Sequence, residues 1–139
     1  MFAIRPDRTG GPEVLTLAEH PTLAPGADDV VVRTEAIGVN FIDIYHRRGL
    51  YPLPLPMAIG QEGAGIIERV GTNVTALSVG ARVGWCCVPG SYATHVMVPA
   101  AKAVPAPDGV TAAHAAALLL QGLTAQYRVR LAGGLPSVR

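Results

Sequence analysis

Charged residues, aromatic residues and cysteines are all scarce in this chain of 139 residues. Only 15% of the residues are charged and the formal net charge is +1, which argues against a role in binding nucleic acid or an anionic membrane. The longest apolar run, from Ala112 to Leu120, contains His114 and is too short to span a bilayer. The first ten residues lack the apolar core of a signal peptide, so we expect no secretory leader.

The two cysteines, Cys86 and Cys87, are adjacent. They form no disulfide framework, so we expect a reducing cytoplasm. Neighbouring side chains of a strand point to opposite faces, so we expect no chelation by this pair. The four histidines show no i,i+4 pairing: His20, His46, His95 and His114. The spacing therefore predicts no metal site.

Apolar residues, by contrast, are abundant. Half of the chain is hydrophobic and the mean hydropathy is +0.34, which is high for a domain in water. The length is enough for one domain with a real core. The excess predicts either a very compact core or apolar surface for a partner or a second domain.

Short extended runs separated by turn residues dominate the chain. The runs predicted as strands are residues 2–5, 15–19, 30–39, 65–70, 82–88 and 92–99. In residues 30–39 the side chains alternate so that one face carries Val31, Arg33 and Glu35, which is typical of an antiparallel sheet with one solvated face. The pattern predicts a mostly β domain with short helices, closer to a barrel than to alternating β-α units.

Two helices are predicted, residues 40–48 and a second from Ala112 to Gln121. Asn40 is a good N-cap residue, and Asp43 stands at the third helical position, where it completes a capping box. Gly122 is predicted to end the second helix.

Residues 36–65 contain the side chains best suited to bind a ligand. Asn40 and Asp43 are explained equally well by helix capping and by a ligand role. Tyr45 would, on periodicity alone, pack on one side of its short helix. Glu62 follows Gln61 in a glycine-rich strand, where we expect it to be structural and to accept from arginine or backbone donors.

Six motifs carry a family resemblance. They are GGPEVL at 10–15, AIGVNFIDIYHRRGLYP at 36–52, GQEGAGIIERVG at 60–71, GARVGW at 80–85, GSYATHVMVPA at 90–100 and AAALLLQGLTAQY at 115–127. Together they resemble the zinc-independent, zeta-crystallin-like quinone oxidoreductases of the medium-chain dehydrogenase/reductase superfamily. The resemblance covers residues 1–127 and implies a GroES-like β-barrel, the N-terminal catalytic domain of such enzymes, with NADPH-dependent reduction of a small-molecule quinone.

The resemblance also implies roles for individual residues. Asn40, Asp43 and Tyr45 would be catalytic, beside the nicotinamide end of the cofactor. Gln61 and Thr124 would border the same cofactor cleft together with Asn40 and Tyr45. For Thr124 the alternative is a hydroxyl that only satisfies the backbone at a helix end.

Related zinc alcohol dehydrogenases would carry Cys in place of Asn40 and His in place of Gln61. Amide side chains are poor substitutes for thiolate and imidazole at a tetrahedral zinc. The resemblance therefore implies an enzyme without zinc.

The chain departs from the family after Tyr127. It contains no G-x-G-x-x-G, and its glycine-rich run at 60–65 leads into a strand rather than a helix, so the Rossmann domain is expected to be absent. We expect residues 1–127 to form the GroES-like domain and residues 128–139 to be a divergent tail produced by truncation or frameshift. The helix from Ala112 to Gln121 is then expected to expose an apolar patch and to self-associate.

Three functions stay open. The first is the catalytic domain of an NADPH-dependent quinone oxidoreductase, with little or no activity as this chain alone. The second is a non-catalytic binding or scaffold module that pairs with a partner supplying the nucleotide domain. The third is a reductase of an enone or 2-enoyl thioester, since the apolar pocket residues Leu50, Tyr51 and Leu53 do not distinguish these substrates.

Overall fold

The computed structural model describes residues 1–132 of the chain. Within them lie seven strands and two α-helices: β1 (Phe2–Ile4), β2 (Leu17–Glu19), β3 (Asp29–Ile37), α1 (Phe41–Arg48), β4 (Glu62–Val70), β5 (Arg82–Cys86), β6 (His95–Pro99), β7 (Val104–Pro105) and α2 (Ala112–Tyr127). Two 3-10 turns, Pro12–Val14 and Ala100–Lys102, and a terminal π-helical turn, Arg128–Ala132, complete the described part. The predicted mostly β class with short helices is confirmed.

The strands form an antiparallel five-stranded sheet and a short ribbon. The order in the sheet is β6-β3-β4-β5-β7, and β1 pairs with β2 in the ribbon. Backbone hydrogen bonds join the ribbon to the chain before β6, from Ile4 N–H to Tyr92 O (2.8 Å) and from Thr94 N–H to Phe2 O (2.8 Å). The ribbon thus extends the sheet around its edge.

The core lies on the inner face of this sheet. Its buried members include Val30, Val32, Ile67, Val83 and Trp85. Trp85 is fully buried, and its indole N–H is satisfied by Ser91 Oγ at 2.9 Å, so the largest core side chain carries no unmet polar group.

The first part of β3 is buried on both of its faces. Val30, Val31 and Val32 are all fully buried, although Val31 was expected on the solvated face with Arg33. Val30 and Val32 belong to the main core cluster and Val31 does not, so the side chains still alternate and the face expected to be solvated is covered at Val31.

The helix α1 agrees closely with the prediction. Asn40 is its N-cap, and Asn40 with Asp43 forms the expected capping box. Gly49 ends the helix in the left-handed conformation, with φ at 78°, which is the usual role of glycine at this position.

The second helix is longer than predicted. Thr111 caps α2 by accepting from His114 N–H at 3.2 Å, but α2 runs through Gly122 to Tyr127 and continues in the π-helical turn. A glycine inside a helix costs only about 1 kcal/mol, which the helix-favouring residues around Gly122 offset. Residues 128–132 therefore continue the helix without a break at residue 127; the rest of the predicted tail, residues 133–139, lies outside the described residues, and the domain boundary stays a prediction.

Most strand limits differ from the prediction by one to three residues, and β7 was not predicted. β1 ends at Ile4 rather than at residue 5, β2 begins at Leu17 rather than at residue 15, and β3 is Asp29–Ile37 rather than residues 30–39. β4 begins at Glu62 rather than at residue 65, β6 begins at His95 rather than at residue 92, and β5 ends at Cys86 because Cys87 has a φ of 58°. Gly65 lies inside β4, and the position requires glycine because a Cβ there would collide with the Arg33 carbonyl. The glycine-rich run is thus a close approach between strands rather than a phosphate-binding turn.

No helix of residues 1–132 is both long and apolar enough to cross a membrane.

Candidate functional site

Asn40 stands at the centre of a polar network where α1 begins. Its backbone N–H donates to Asp43 Oδ2 at 2.9 Å, which forms one half of the capping box. Its side-chain amide nitrogen donates to Glu62 Oε1 at 2.9 Å, and its amide oxygen accepts from Gln121 Nε2 at 3.1 Å. Asn40 therefore links α1 with β4 and α2.

Glu62 is a fully buried carboxylate on the first residue of β4. Besides Asn40, it accepts from the backbone N–H of Leu120 at 2.8 Å and from Gln121 Nε2 at 3.5 Å. All of these partners are N–H donors, which is how a buried carboxylate is stabilised. The space that Glu62 occupies exists because residue 38 is glycine: a Cβ on Gly38 would collide with the carboxylate.

The carboxylate sets the orientation of both amides. Because an ionised carboxylate only accepts, Asn40 must turn its NH₂ toward Glu62 and its oxygen toward Gln121. Gln121 likewise turns its NH₂ inward, toward Asn40 and Glu62. The two side chains that reach the surface of this network are neutral amides of defined orientation.

Asp43 is nearly buried and is held by two donors on one oxygen. Its Oδ2 accepts from Asn40 N–H and from the Tyr92 hydroxyl at 2.9 Å, while its Oδ1 is buried and has no partner among the described residues. Burial, followed by the negative charge of Asp43, raises the pKa of Tyr92. Tyr92 therefore stays protonated at neutral pH and serves as a donor that anchors Asp43.

Similarity to known proteins shows the family to which this chain belongs. The alcohol dehydrogenase GroES-like domain family matches residues 26–108, more than half of the chain. The chain belongs to this family. The match includes α1, β4 and β5, and it confirms the GroES-like fold class predicted from the motifs.

Among GroES-like domains, this one is similar to the domains of particular oxidoreductases. It is 48% identical over 123 residues to a quinone oxidoreductase of Pseudomonas aeruginosa, a match that covers 87% of this chain and 38% of the relative. A 2-haloacrylate reductase of Burkholderia is 41% identical over 128 residues, with 86% of this chain and 38% of the relative covered. The chain spans a little over a third of the length of these two relatives.

A solved structure gives the same placement. The Escherichia coli quinone oxidoreductase in complex with NADPH superposes with a TM-score of 0.92 at 39% identity, covering 95% of this chain and 41% of that one. The domain is thus similar in sequence and in backbone to quinone oxidoreductases, one of which, the Escherichia coli protein, has been solved with NADPH bound.

Two of the predicted site residues, Asn40 and Asp43, are in contact and form the predicted capping box. Tyr45 does not join their hydrogen-bond network as far as the described residues show. It lies on α1, 37% exposed, and its ring packs edge to face on Tyr51 at 5.5 Å between centroids. Packing and access to solvent thus coexist at this side chain.

Gln61 and Thr124 flank the network without belonging to it. Gln61 immediately precedes Glu62, is partly exposed, and accepts through its backbone oxygen from Val88 N–H at 3.1 Å. Thr124 donates its hydroxyl to the Leu120 carbonyl at 2.7 Å, one turn back in α2. The prediction that the helix ends beside Thr124, at Gly122, was wrong. The Thr124 hydroxyl nevertheless satisfies a backbone carbonyl, as the alternative reading of this residue expected.

Gln121 and Tyr92 were not predicted as site residues. Gln121 follows an apolar run, and this polar side chain at the end of an apolar face is the signal that could have indicated it. Tyr92 gives no comparable signal, because its contact with Asp43 joins positions 49 residues apart. Glu62 was expected to accept from backbone donors, and its bond from Leu120 N–H confirms that expectation.

Within residues 1–132, no group of three His, Cys, Asp or Glu side chains is arranged to hold a metal ion. Asn40 and Gln61, at the positions where a zinc enzyme would carry ligands, are amides. That the domain works without zinc stays a prediction.

Proposed function

We propose that this chain is the catalytic GroES-like domain of an oxidoreductase that reduces a quinone with NADPH and without zinc. The observation that carries this proposal is the network of Asn40, Asp43, Glu62 and Gln121, which presents two oriented neutral amides in a domain 48% identical to a quinone oxidoreductase.

The donor set suits a neutral, planar ligand. Both carboxylates of the network are buried and bonded to N–H or O–H donors of the protein, so the surface offers the amides of Asn40 and Gln121 rather than a charge. The nicotinamide carboxamide and a quinone are both neutral and both hydrogen-bond to such groups. The residues present therefore fit NADPH, and Asn40, Tyr45, Gln61 and Thr124 are the side chains proposed to border it.

When bound, NADPH supplies a hydride, a chemistry that belongs to the cofactor. The chain's own residues bind and orient the reactants: Asn40 is held in one orientation by Glu62 and Gln121. Asp43 fixes the start of α1 through Asn40 N–H. We propose that the exposed Tyr45 donates a hydrogen bond from its hydroxyl to the quinone oxygen, where negative charge develops during reduction.

The exposed aromatic rim gives the quinone a surface to stack on. Tyr51 is 51% exposed and Leu50 is 64% exposed, and Tyr51 packs against Tyr45. Offset or edge contact with an aromatic ring is favourable for a flat apolar substrate. The rim and the amide network together form the proposed substrate and cofactor side of the domain.

We further propose that these 139 residues alone bind NADPH weakly. The sequence contains no G-x-G-x-x-G to hold the pyrophosphate, and the chain covers 38% of its Pseudomonas aeruginosa relative. Phosphate contacts missing from a cofactor site would cost several kcal/mol, on the order of a thousandfold in affinity. A fluorescence titration of the purified chain should show no NADPH binding below the millimolar range.

The function itself is best tested in a chimera, with this chain replacing the matching residues of the Pseudomonas aeruginosa relative. The chimera should oxidise NADPH when benzoquinone is added. Asn40→Ala and Tyr45→Phe should each lower kcat/KM about tenfold or more, since each removes a group bound to the reactants. Val79→Ala, a change at an exposed residue in the turn before β5, is the matched control and should leave the rate unchanged. A folded chimera that binds NADPH but does not reduce benzoquinone would contradict the proposal.

A second substrate class is supported by the similarity to the 2-haloacrylate reductase of Burkholderia. Electron-poor alkenes accept a hydride at carbon instead of oxygen. A neutral enone would hydrogen-bond to the same amides, and the carboxylate of a 2-haloacrylate would need to accept from their N–H groups. In the same chimera, oxidation of NADPH with 2-chloroacrylate or a simple enone, and none with benzoquinone, would favour this alternative.

A further inference from the structure

Cys86 and Cys87 lie beside the polar network and have no role in the proposed reaction. Cys86 is the last residue of β5 and is half-buried, whereas Cys87 is exposed. In the ladder between β4 and β5, Cys86 is the partner of Glu62. The pair therefore stands directly next to the strand position that holds Asn40 and α2 together.

The backbone at this point removes the strand geometry that would separate the two thiols. Cys87 has a φ of 58°, which is uncommon for a residue other than glycine. Beyond it, Val88 N–H donates to Gln61 O at 3.1 Å, so the chain rejoins β4 and Cys87 is the extra residue of a bulge. Lys102 Nζ holds the bulge by donating to the Cys87 carbonyl at 2.7 Å. The expectation that these thiols point to opposite faces of one strand was wrong, because only Cys86 belongs to the strand.

We propose that Cys86 and Cys87 are a peroxide-sensitive thiol pair that closes reversibly to a vicinal disulfide. In the first step the Cys87 thiolate attacks hydrogen peroxide, the O–O bond breaks, and the hydroxide released takes up the proton that Cys87 lost. Cys87 is now a sulfenic acid. In the second step the Cys86 sulfur attacks the Cys87 sulfur, and the sulfenic hydroxyl leaves as water with the Cys86 proton. Two thiols and one peroxide give one disulfide and two waters.

The surroundings assign the order of these steps. Cys87 is exposed and meets the oxidant first. Burial, the neighbouring Cys87 thiol and the charge of Glu62 raise the pKa of Cys86, against a smaller opposite effect of Lys102. Cys86 therefore stays protonated and is the slower nucleophile toward peroxide, which suits the resolving role.

Reversibility follows from covalent geometry. Consecutive Cα atoms are about 3.8 Å apart, whereas the Cα atoms of ordinary disulfides are about 4.4–6.8 Å apart. A disulfide between neighbours is therefore strained and readily reduced, as regulatory disulfides are. Its formation would change the end of β5 opposite Glu62.

The test uses the purified chain with a small excess of hydrogen peroxide. The intact mass should fall by two hydrogen atoms per chain while the protein gains no intermolecular disulfide, and fragmentation should place the link within the Cys86–Cys87 peptide. Trp85, the only tryptophan, precedes Cys86 and should lose fluorescence on closure, since disulfides quench indole emission. Dithiothreitol should restore both the mass and the emission.

Two variants separate the roles. Cys86→Ser should stop at the sulfenic acid of Cys87, trapped by dimedone, and Cys87→Ser should lose its remaining thiol at least about tenfold more slowly, since Cys86 is protonated and half-buried. Circular dichroism and Trp85 emission before oxidation check that both variants are folded. Oxidation of wild type to sulfinic acids without loss of two hydrogens, disulfide-linked dimers of wild type, or equal rates for both variants would overturn the proposal.

Discussion

The two halves of α2 differ in what surrounds them. In the first half, Ala115 and Ala116 are buried against Ala64 of β4. From Gln121 to the end of α2 every residue is exposed, and Leu123 and Tyr127, one turn apart, are 50% and 59% exposed. The boundary is Leu120, whose backbone N–H donates to Glu62. The polar network is therefore the last point at which this domain holds the helix. Exposed apolar side chains lie on both sides of it, since Leu118 is already 62% exposed.

Removing the acceptor at this boundary should have the largest effect. Glu62→Gln keeps the side-chain volume but puts an NH₂ group among N–H donors, so a buried donor loses its partner. We expect the free energy of unfolding to fall by about 3 kcal/mol. Urea denaturation followed by Trp85 emission measures this.

Glu68→Gln is the matched control, because Glu68 is on the same strand and is partly exposed in contacts with Arg33 and His95. Its effect should stay within about 1 kcal/mol. Equal losses for the two variants would mean that Glu62 does not hold the boundary.

Self-association, predicted through the apolar face of residues 112–121, stays a prediction; Leu123 and Tyr127, just beyond that range, add exposed apolar surface to it. Replacing Leu123 and Tyr127 together by Gln removes two large apolar side chains from the surface, and we expect the dissociation constant of the self-associated form to rise at least about tenfold. Light scattering against protein concentration measures it. Val79→Gln, also at an exposed apolar residue, should change nothing. A wild-type chain that stays monomeric at every concentration would be incompatible with this prediction.

In the polar network, Tyr92→Phe tests the hydrogen bond that anchors Asp43. Losing the 2.9 Å bond should lower the unfolding free energy by about 1 kcal/mol near neutral pH. Since folding raises the pKa of Tyr92, the stabilisation by this group is complete below about pH 10, the ordinary pKa of tyrosine, and is lost as the pH rises above it.

The difference between wild type and Tyr92→Phe should therefore shrink as the pH rises from about pH 10 to about pH 11 in urea titrations. Contributions from all other groups are common to the two proteins and cancel in the comparison. A difference that is constant over this range would show that folding does not raise the pKa of Tyr92.

Local chemistry is what made parts of this structure predictable. The capping box of Asn40 and Asp43 lies within four residues, so composition and spacing were sufficient. Contacts between distant positions were not accessible in the same way: Gln121 meets Asn40 across 81 residues. The roles of Gln121 and Tyr92 depend on how the sheet folds back, which no local pattern contains.

The end of α2 was mispredicted for a different reason. Glycine was given its frequent role as a helix terminator, but Gly122 has the conformation of the helix interior, and a Cβ there would meet nothing within 4 Å. Tertiary context and neighbouring propensities outweighed one unfavourable residue. The same reasoning makes Gly122 a position where the two halves of α2 can be compared directly.

Gly122→Ala should produce the smallest effect and the opposite sign. Alanine fits the helical backbone without contact and reduces the freedom of the unfolded chain, so we expect a gain of about 0.5–1 kcal/mol in unfolding free energy, provided the exposed half of α2 unfolds together with the rest. Gly109→Ala is the control: its φ of 81° is strained for alanine although space is equally open, so that variant should lose stability. If Gly122→Ala increases helicity by circular dichroism but leaves the urea midpoint unchanged, the helix beyond Leu120 melts separately, and Glu62 holds only the half of α2 that precedes it.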